Sequence, residues 1–314
     1  MKPLEGKIAV VAGASRGAGR GIARMLGESG ATVYCTGRTN RSRLGPTGRP
    51  ETIEETAALV DAAGGEGIAV RVDHADEAAV SKLFRRVQRE QKRLDVLVLV
   101  LAAASVTDWR PVWKQSLESG RAFIEAWLWP HWATAHHGAR RMATQGSGLI
   151  VEITDGDTVG YRGPLHYDLL RNALVRLASS LAEELADRGV TALSVTPGFM
   201  RTETVLDHFG ASAETWEEVA RTNREAKRLL FSASETPCFV GRAIAALAAD
   251  PDVQSKSGGL FSSWGLAEEY GFADVDGRRP HWGRDFAEYV EEHAFVKPRT
   301  RFRWELVGEA GTKA

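Results

Sequence analysis

The nine residues GASRGAGRG, at 13–21, constrain the fold more than any other stretch of this chain. They follow an apolar run at 7–13 (KIAVVAG) that reads as a buried strand. They open a helical pattern at 16–30, which Gly30 stops. Gly13, Gly17 and Gly19 stand in a G-x3-G-x-G spacing, with Ser15 and Arg16 between them. Without a Cβ, a glycine lets the backbone approach a pyrophosphate, and a helix start offers free N–H groups and a partial positive charge. A tight strand-to-helix turn would also use glycines. The position after the first strand of a βαβ series points to a nucleotide site.

That series continues along the chain. Strand patterns at 31–38, 67–73, 94–102, 148–154 and 190–198 alternate with helical patterns. The helices fall at 49–65 (with Thr52 or Glu51 near the start), at 76–91, somewhere within 116–143, and at 165–189. Such alternation implies right-handed crossovers and an α/β, doubly wound parallel sheet. Residues 200–250 read as helical. The length of 314 residues suits one large α/β domain or two small ones. We expect a nucleotide-binding domain over 1–270 and read 271–314, mixed, charged and aromatic, as an extension covering the same domain.

Composition narrows the partners. With 40 basic and 41 acidic residues the chain lacks the basic surplus of a nucleic-acid binder. Cys35 and Cys238 lie far apart without metal spacing, so neither a disulfide framework nor a metal site is expected, and a reducing cytoplasm fits. His136 and His137 lack further ligands at metal spacing and read as structural. The apolar run 96–104 is too short to span a bilayer, and the N-terminus lacks a signal-peptide pattern, so no membrane partner is expected.

Tyr167 and Arg171 sit four residues apart on the 165–189 helix, which puts a phenol and a fixed cation on one face. With the glycine loop, this Tyr-x3-Arg resembles the short-chain dehydrogenase/reductase family, over about residues 5–265. AGASRGAG matches that family's T-G-x3-G-x-G, with Ala12 for threonine. Further motifs are similar: Val72–Asp73, LDVLV at 94–98, and TPGFMRTE at 196–203. The tail FSASETPCFVGRAIAALAADPDVQSKSG and the later EYGFADVDGRRP resemble the branch typified by SDR family member 1 and its bacterial relatives. The resemblance implies a seven-stranded parallel sheet, an NAD(H) or NADP(H) cofactor, a small-molecule substrate, and a homodimer or homotetramer. It also implies an adenine contact for Asp73, a nicotinamide-side loop at Pro197 and Gly198, and a carboxamide contact for Thr202. Arg16 lies inside the glycine loop, and Arg38 follows the second strand, where an NAD-selective protein usually offers an acid; TGRTNRSR offers only cations there, which favours a 2′-phosphate and NADP(H).

The family's Asn-Ser-Tyr-Lys tetrad is altered. Tyr167 remains as the catalytic tyrosine, Arg171 takes the lysine position, and the asparagine position falls near Glu125. Thr154 and Asp155 occupy the two candidate serine positions, and Asp157 reads as part of a polar turn. We expect Tyr167 to be the general acid, Arg171 to lower its pKa, and Thr154 to be its hydroxyl partner, with Asp155 in the site. LVLA at 99–102 replaces the N-N-A-G motif, so the polar bonds to the neighbouring strand are expected to be lost. Trp109 and Trp113 are candidates for a substrate pocket, and Trp127, Trp129 and Trp132 for core or interface. A divergent member with an intact cofactor site, running non-redox chemistry or acting in binding or regulation, is the competing reading.

Overall fold

The computed structural model describes residues 2–45, 48–101, 110–155 and 164–292. Trp109, Asp157 and the extension beyond 292 lie outside the described residues. The elements run β1 (Ile8–Ala12), α1 (Gly17–Glu28), β2 (Thr32–Gly37), α2 (Ile53–Ala62), β3 (Glu66–Arg71), α3 (Glu77–Gln91), β4 (Val96–Leu99), α4 (Leu117–Gln145), β5 (Gly148–Ile153), α5 (Leu165–Leu185) and β6 (Val190–Thr196). Then follow α6 (Glu203–Phe209), α7 (Trp216–Thr222), α8 (Arg224–Arg228), α9 (Pro237–Ala249), β7 (Leu260–Ser262), α10 (Ser263–Tyr270) and α11 (Trp282–Glu292).

All seven strands pair in parallel, in the order β3-β2-β1-β4-β5-β6-β7. Alternate residues of β1 explain why the sheet is covered on both faces. Ala9 and Val11 join one core with α1 and α9, while Ile8, Val10 and Ala12 join another with α3 and α4. A strand buried on both sides must be apolar at every position, which is why the first run lacks alternation. Chain order reverses between β1 and β4, so a crevice opens beyond their carboxyl ends.

Several elements are shorter than the periodicity suggests. The fourth strand covers Val96–Leu99 rather than 94–102, and the helix expected at 49–65 covers Ile53–Ala62. Thr52 caps the latter helix: its Oγ1 accepts from the Glu55 N–H while the Glu55 carboxylate accepts from the Thr52 N–H. In the tail, Arg201 pairs with Asp276 at 2.6 Å, and the guanidinium groups of Arg201 and Arg278 both stack on Trp216. These contacts seat the 274–278 turn against the segment between β6 and α7.

Candidate active site

The glycine loop forms a cradle that side chains cannot enter. A Cβ on Gly13 would lie 2.2 Å from the Val100 carbonyl oxygen, and one on Gly19 would lie 2.1 Å from the Gly13 carbonyl oxygen. Gly13 and Gly17 also hold positive φ, at 92° and 54°. A cavity of about 590 Å³ runs from this cradle along the carboxyl ends of the strands. Ser15, Arg38 and Asp73 line one end, and Thr154, Asp155 and Arg171 the other; Pro197, Gly198, Thr202 and Trp282 close it.

This cavity fits a dinucleotide: a glycine cradle without room for Cβ atoms, a helix start facing it, and a cation at the far end. Arg38, half-buried, forms no ion pair among the described residues. Arg16 differs from the expectation of an all-cationic end. Its Nη1 lies 3.5 Å from Glu51, a buried carboxylate that Arg49 also holds. Burial acts on Glu51 first, yet the Arg49 and Arg16 contacts leave its pKa below the ordinary value. Asp73 accepts a hydrogen bond from the Ala75 N–H at 3.1 Å. The neighbouring His74 is fully enclosed, shared between Thr36 and Thr134, and burial pushes its pKa down to about 3.

At the other end, Tyr167 donates its hydroxyl to Asp155 Oδ2 at 2.6 Å. Arg171 Nε lies 2.7 Å from Asp155 Oδ1. That approach is off the donor axis, so it is a charge contact rather than an aligned hydrogen bond. The guanidinium also covers the Tyr167 ring at 5.0 Å and the buried Trp127 ring at 4.6 Å. Two expectations need correcting here. Thr154 does not serve as the tyrosine's partner: its hydroxyl donates to the Arg171 carbonyl at 3.0 Å, and Asp155 takes the phenol instead. Nor does Arg171 bring the phenol toward neutrality. Burial raises the Tyr167 pKa above its ordinary value, the Asp155 charge and hydrogen bond add to that, and the cation offsets only part.

Glu125, at the asparagine position, is exposed and pairs with Arg121 at 2.9 Å along its own helix. Trp113 is 79% exposed. Trp127 belongs to a small cluster with Phe123, Leu170 and Tyr167, so it reaches the site. Trp129 and Trp132 are exposed. The loss of N-N-A-G is compensated rather than left open. His131, completely buried, contacts the Leu101 carbonyl at 2.9 Å and Glu152 at 2.5 Å, and so ties the end of β4 through α4 to β5. A charged residue inside the otherwise apolar 148–154 strand was the available signal for that pair.

Sequence reasoning also missed Glu235, Glu203 and Trp282. Glu235 is 1% exposed; its Oε2 accepts from the Gly198 N–H at 3.0 Å and from Ser263 Oγ at 2.7 Å. Burial pushes its pKa up to about 8, against the lowering effect of those two donors. It therefore holds the P-G loop in place. Among the described residues no cluster of three or more metal-ligating side chains occurs, and no helix is long and apolar enough to cross a membrane.

Known proteins share both the sequence pattern and the architecture. The short chain dehydrogenase family model matches residues 7–210. The human protein Dehydrogenase/reductase SDR family member 1 is 35% identical over 281 residues, covering 88% of this chain and 85% of its own length. A short chain dehydrogenase from Mycobacterium thermoresistibile superposes with a TM-score of 0.71 at 20% identity, over 89% of this chain and 92% of that one. A Beutenbergia cavernae protein with NADP bound at low occupancy superposes at 0.61 with 26% identity, over 83% and 96%. With a family model over residues 7–210, a relative 35% identical along most of its length, and the same seven-stranded parallel sheet, the chain belongs to the short-chain dehydrogenase/reductase family.

Proposed function

We propose that this chain is an NADP(H)-dependent oxidoreductase acting on a carbonyl or alcohol of a moderately apolar small molecule. The observation that carries the reading is one cavity joining the glycine cradle to the Asp155–Arg171 pair, with Tyr167 on that pair. The cofactor's nicotinamide would supply or accept the hydride. Gly13, Ser15, Gly17 and Gly19 hold the diphosphate, Arg38 and Arg16 the 2′-phosphate, and Asp73 the adenine side. Pro197, Gly198 and Thr202 shape the nicotinamide side. Tyr167 gives its hydroxyl proton to the substrate oxygen as the general acid. Arg171 stabilises the phenolate left behind and reaches the ribose hydroxyls. Thr154 fixes the backbone of Arg171, and Asp155, whose carboxylate accepts the hydroxyl's hydrogen bond, passes a solvent proton to the phenolate between turnovers.

The NADP bound to the Beutenbergia cavernae protein supports this choice of cofactor. Leu117, Ile124 and Trp132 on α4 and Leu165 and Leu169 on α5 are exposed and apolar, which supports a homodimer or homotetramer. Two buried free cysteines suit the reducing cytoplasm. The 2.6 Å bond from Tyr167 to Asp155 favours a second reading, in which that pair runs proton transfer or elimination, or the protein binds cofactor in a regulatory role. A carbonyl-substrate panel followed by NADPH absorbance separates the two. Turnover supports hydride transfer, and saturable NADPH binding without turnover on any substrate supports the second.

A further inference from the structure

We propose that Glu203 is an internal competitor for the cofactor's diphosphate, and so sets the affinity of the cofactor site. The proposal rests on the dinucleotide reading above. Glu203 is the first residue of α6, directly after Thr202, whose Oγ1 caps that helix by accepting from the Val205 N–H at 3.3 Å. Its Oε2 accepts from the Gly17 N–H at 2.8 Å, at the start of α1. Its Oε1 lies 3.6 Å from Arg20 Nη1. The segment rests directly on the loop: a Cβ on Gly17 would be 3.4 Å from Thr202 Cγ2. Glu203 and Gly17 both line the cavity.

The two features that attract a phosphate to a helix start are its unbonded N–H groups and nearby positive charge. At this loop both already serve a carboxylate. A diphosphate offers the same acceptor chemistry, and two anions cannot share one N–H group and one guanidinium without repulsion. Cofactor binding therefore requires the Glu203 side chain to leave, with the start of α6 moving away from Gly17. Arg20 stays anchored throughout, because its Nη2 holds Glu55 at 2.7 Å and its Nε bonds to Thr56.

Glu203→Ala and Glu203→Gln, measured by calorimetry with NADPH, with inorganic pyrophosphate and with phosphate-free adenosine, test this. Glu203→Ala should bind NADPH and pyrophosphate about ten- to a hundredfold more tightly, the range expected when a charge-assisted contact no longer has to be broken. Glu203→Gln should fall between, since it keeps the acceptor but loses the charge, and adenosine binding should not change. The unliganded Glu203→Ala protein should melt at a lower temperature while its affinity rises, a pairing that a purely structural role does not produce. Unchanged or weaker NADPH binding by Glu203→Ala overturns the proposal and leaves the dinucleotide reading standing. Tighter pyrophosphate binding with no NADPH binding by any form supports the competitor and overturns the dinucleotide reading. Binding of neither probe by any form overturns both.

Discussion

Replacing Asp155 with asparagine should release the Tyr167 phenol as an acid. In the native site the hydroxyl donates to Asp155 Oδ2 at 2.6 Å, and the same carboxylate draws Arg171 to 2.7 Å. A hydrogen bond to a charged partner contributes about 1.5–3 kcal/mol. Since about 1.4 kcal/mol is a factor of ten in a protonation equilibrium, losing the carboxylate should raise the phenolate-to-phenol ratio at a given pH at least tenfold. The direction follows from the causes: burial is untouched, the Asp155 charge and bond that hold the proton on are removed, and Arg171 still favours the phenolate. An ultraviolet tyrosinate titration of Asp155→Asn, minus that of Asp155→Asn/Tyr167→Phe, isolates this one phenol among five tyrosines. Tyr34, pushed up to about 12 by burial, titrates later and does not mask the change. An unchanged or higher apparent pKa for Tyr167 in the variant would refute the argument, since the carboxylate would then not be holding the proton.

Further outcomes follow from the same geometry. Asp155→Ser should raise ordinary ketone reduction, because it removes a negative charge beside the developing alkoxide and supplies a donor; collapse of native activity with no gain in ketone reduction would give Asp155 a positive role in other chemistry. Arg16→Ala/Arg38→Ala should lose more than tenfold in NADPH affinity with little effect on NADH, and equal affinities for the two cofactors in the native protein would contradict it. Glu235 is protonated in the fold up to about pH 8 but only to its ordinary, lower pKa when unfolded, so its contribution to stability is fully present in acid and is lost as pH rises toward 8. Glu235→Gln should therefore flatten denaturant-measured stability across that window, by a few kcal/mol at most, and an unaltered pH profile would count against a buried acid there.

The sheet and its cradle were legible because they rest on local signals. Doubly buried strands must be apolar throughout, and the glycine spacing records where a Cβ would lie only about 2.2 Å from a neighbouring backbone oxygen. Strand and helix ends were less legible: Leu94 is fully buried just before β4, so the apolar run exceeds the paired strand. The catalytic end was only half legible. Thr154 and Asp155 are neighbours at the end of β5, and the direction of each side chain depends on the pleat, which spacing from Tyr167 does not fix. Contacts between charges far apart in sequence were invisible. Glu51 is 35 residues from Arg16 and His131 is 21 from Glu152, so no local periodicity links them.

The most direct test of hydride transfer is NADPH oxidation measured with a carbonyl-substrate panel on the native protein and on Tyr167→Phe in parallel. Turnover with NADPH is expected in the native protein. The variant should lose about a hundredfold or more, the contribution of a positioned acid, with NADPH binding nearly unchanged because only the hydroxyl is removed. Full turnover by Tyr167→Phe, or saturable NADPH binding by the native protein with no oxidation on any substrate, would contradict it.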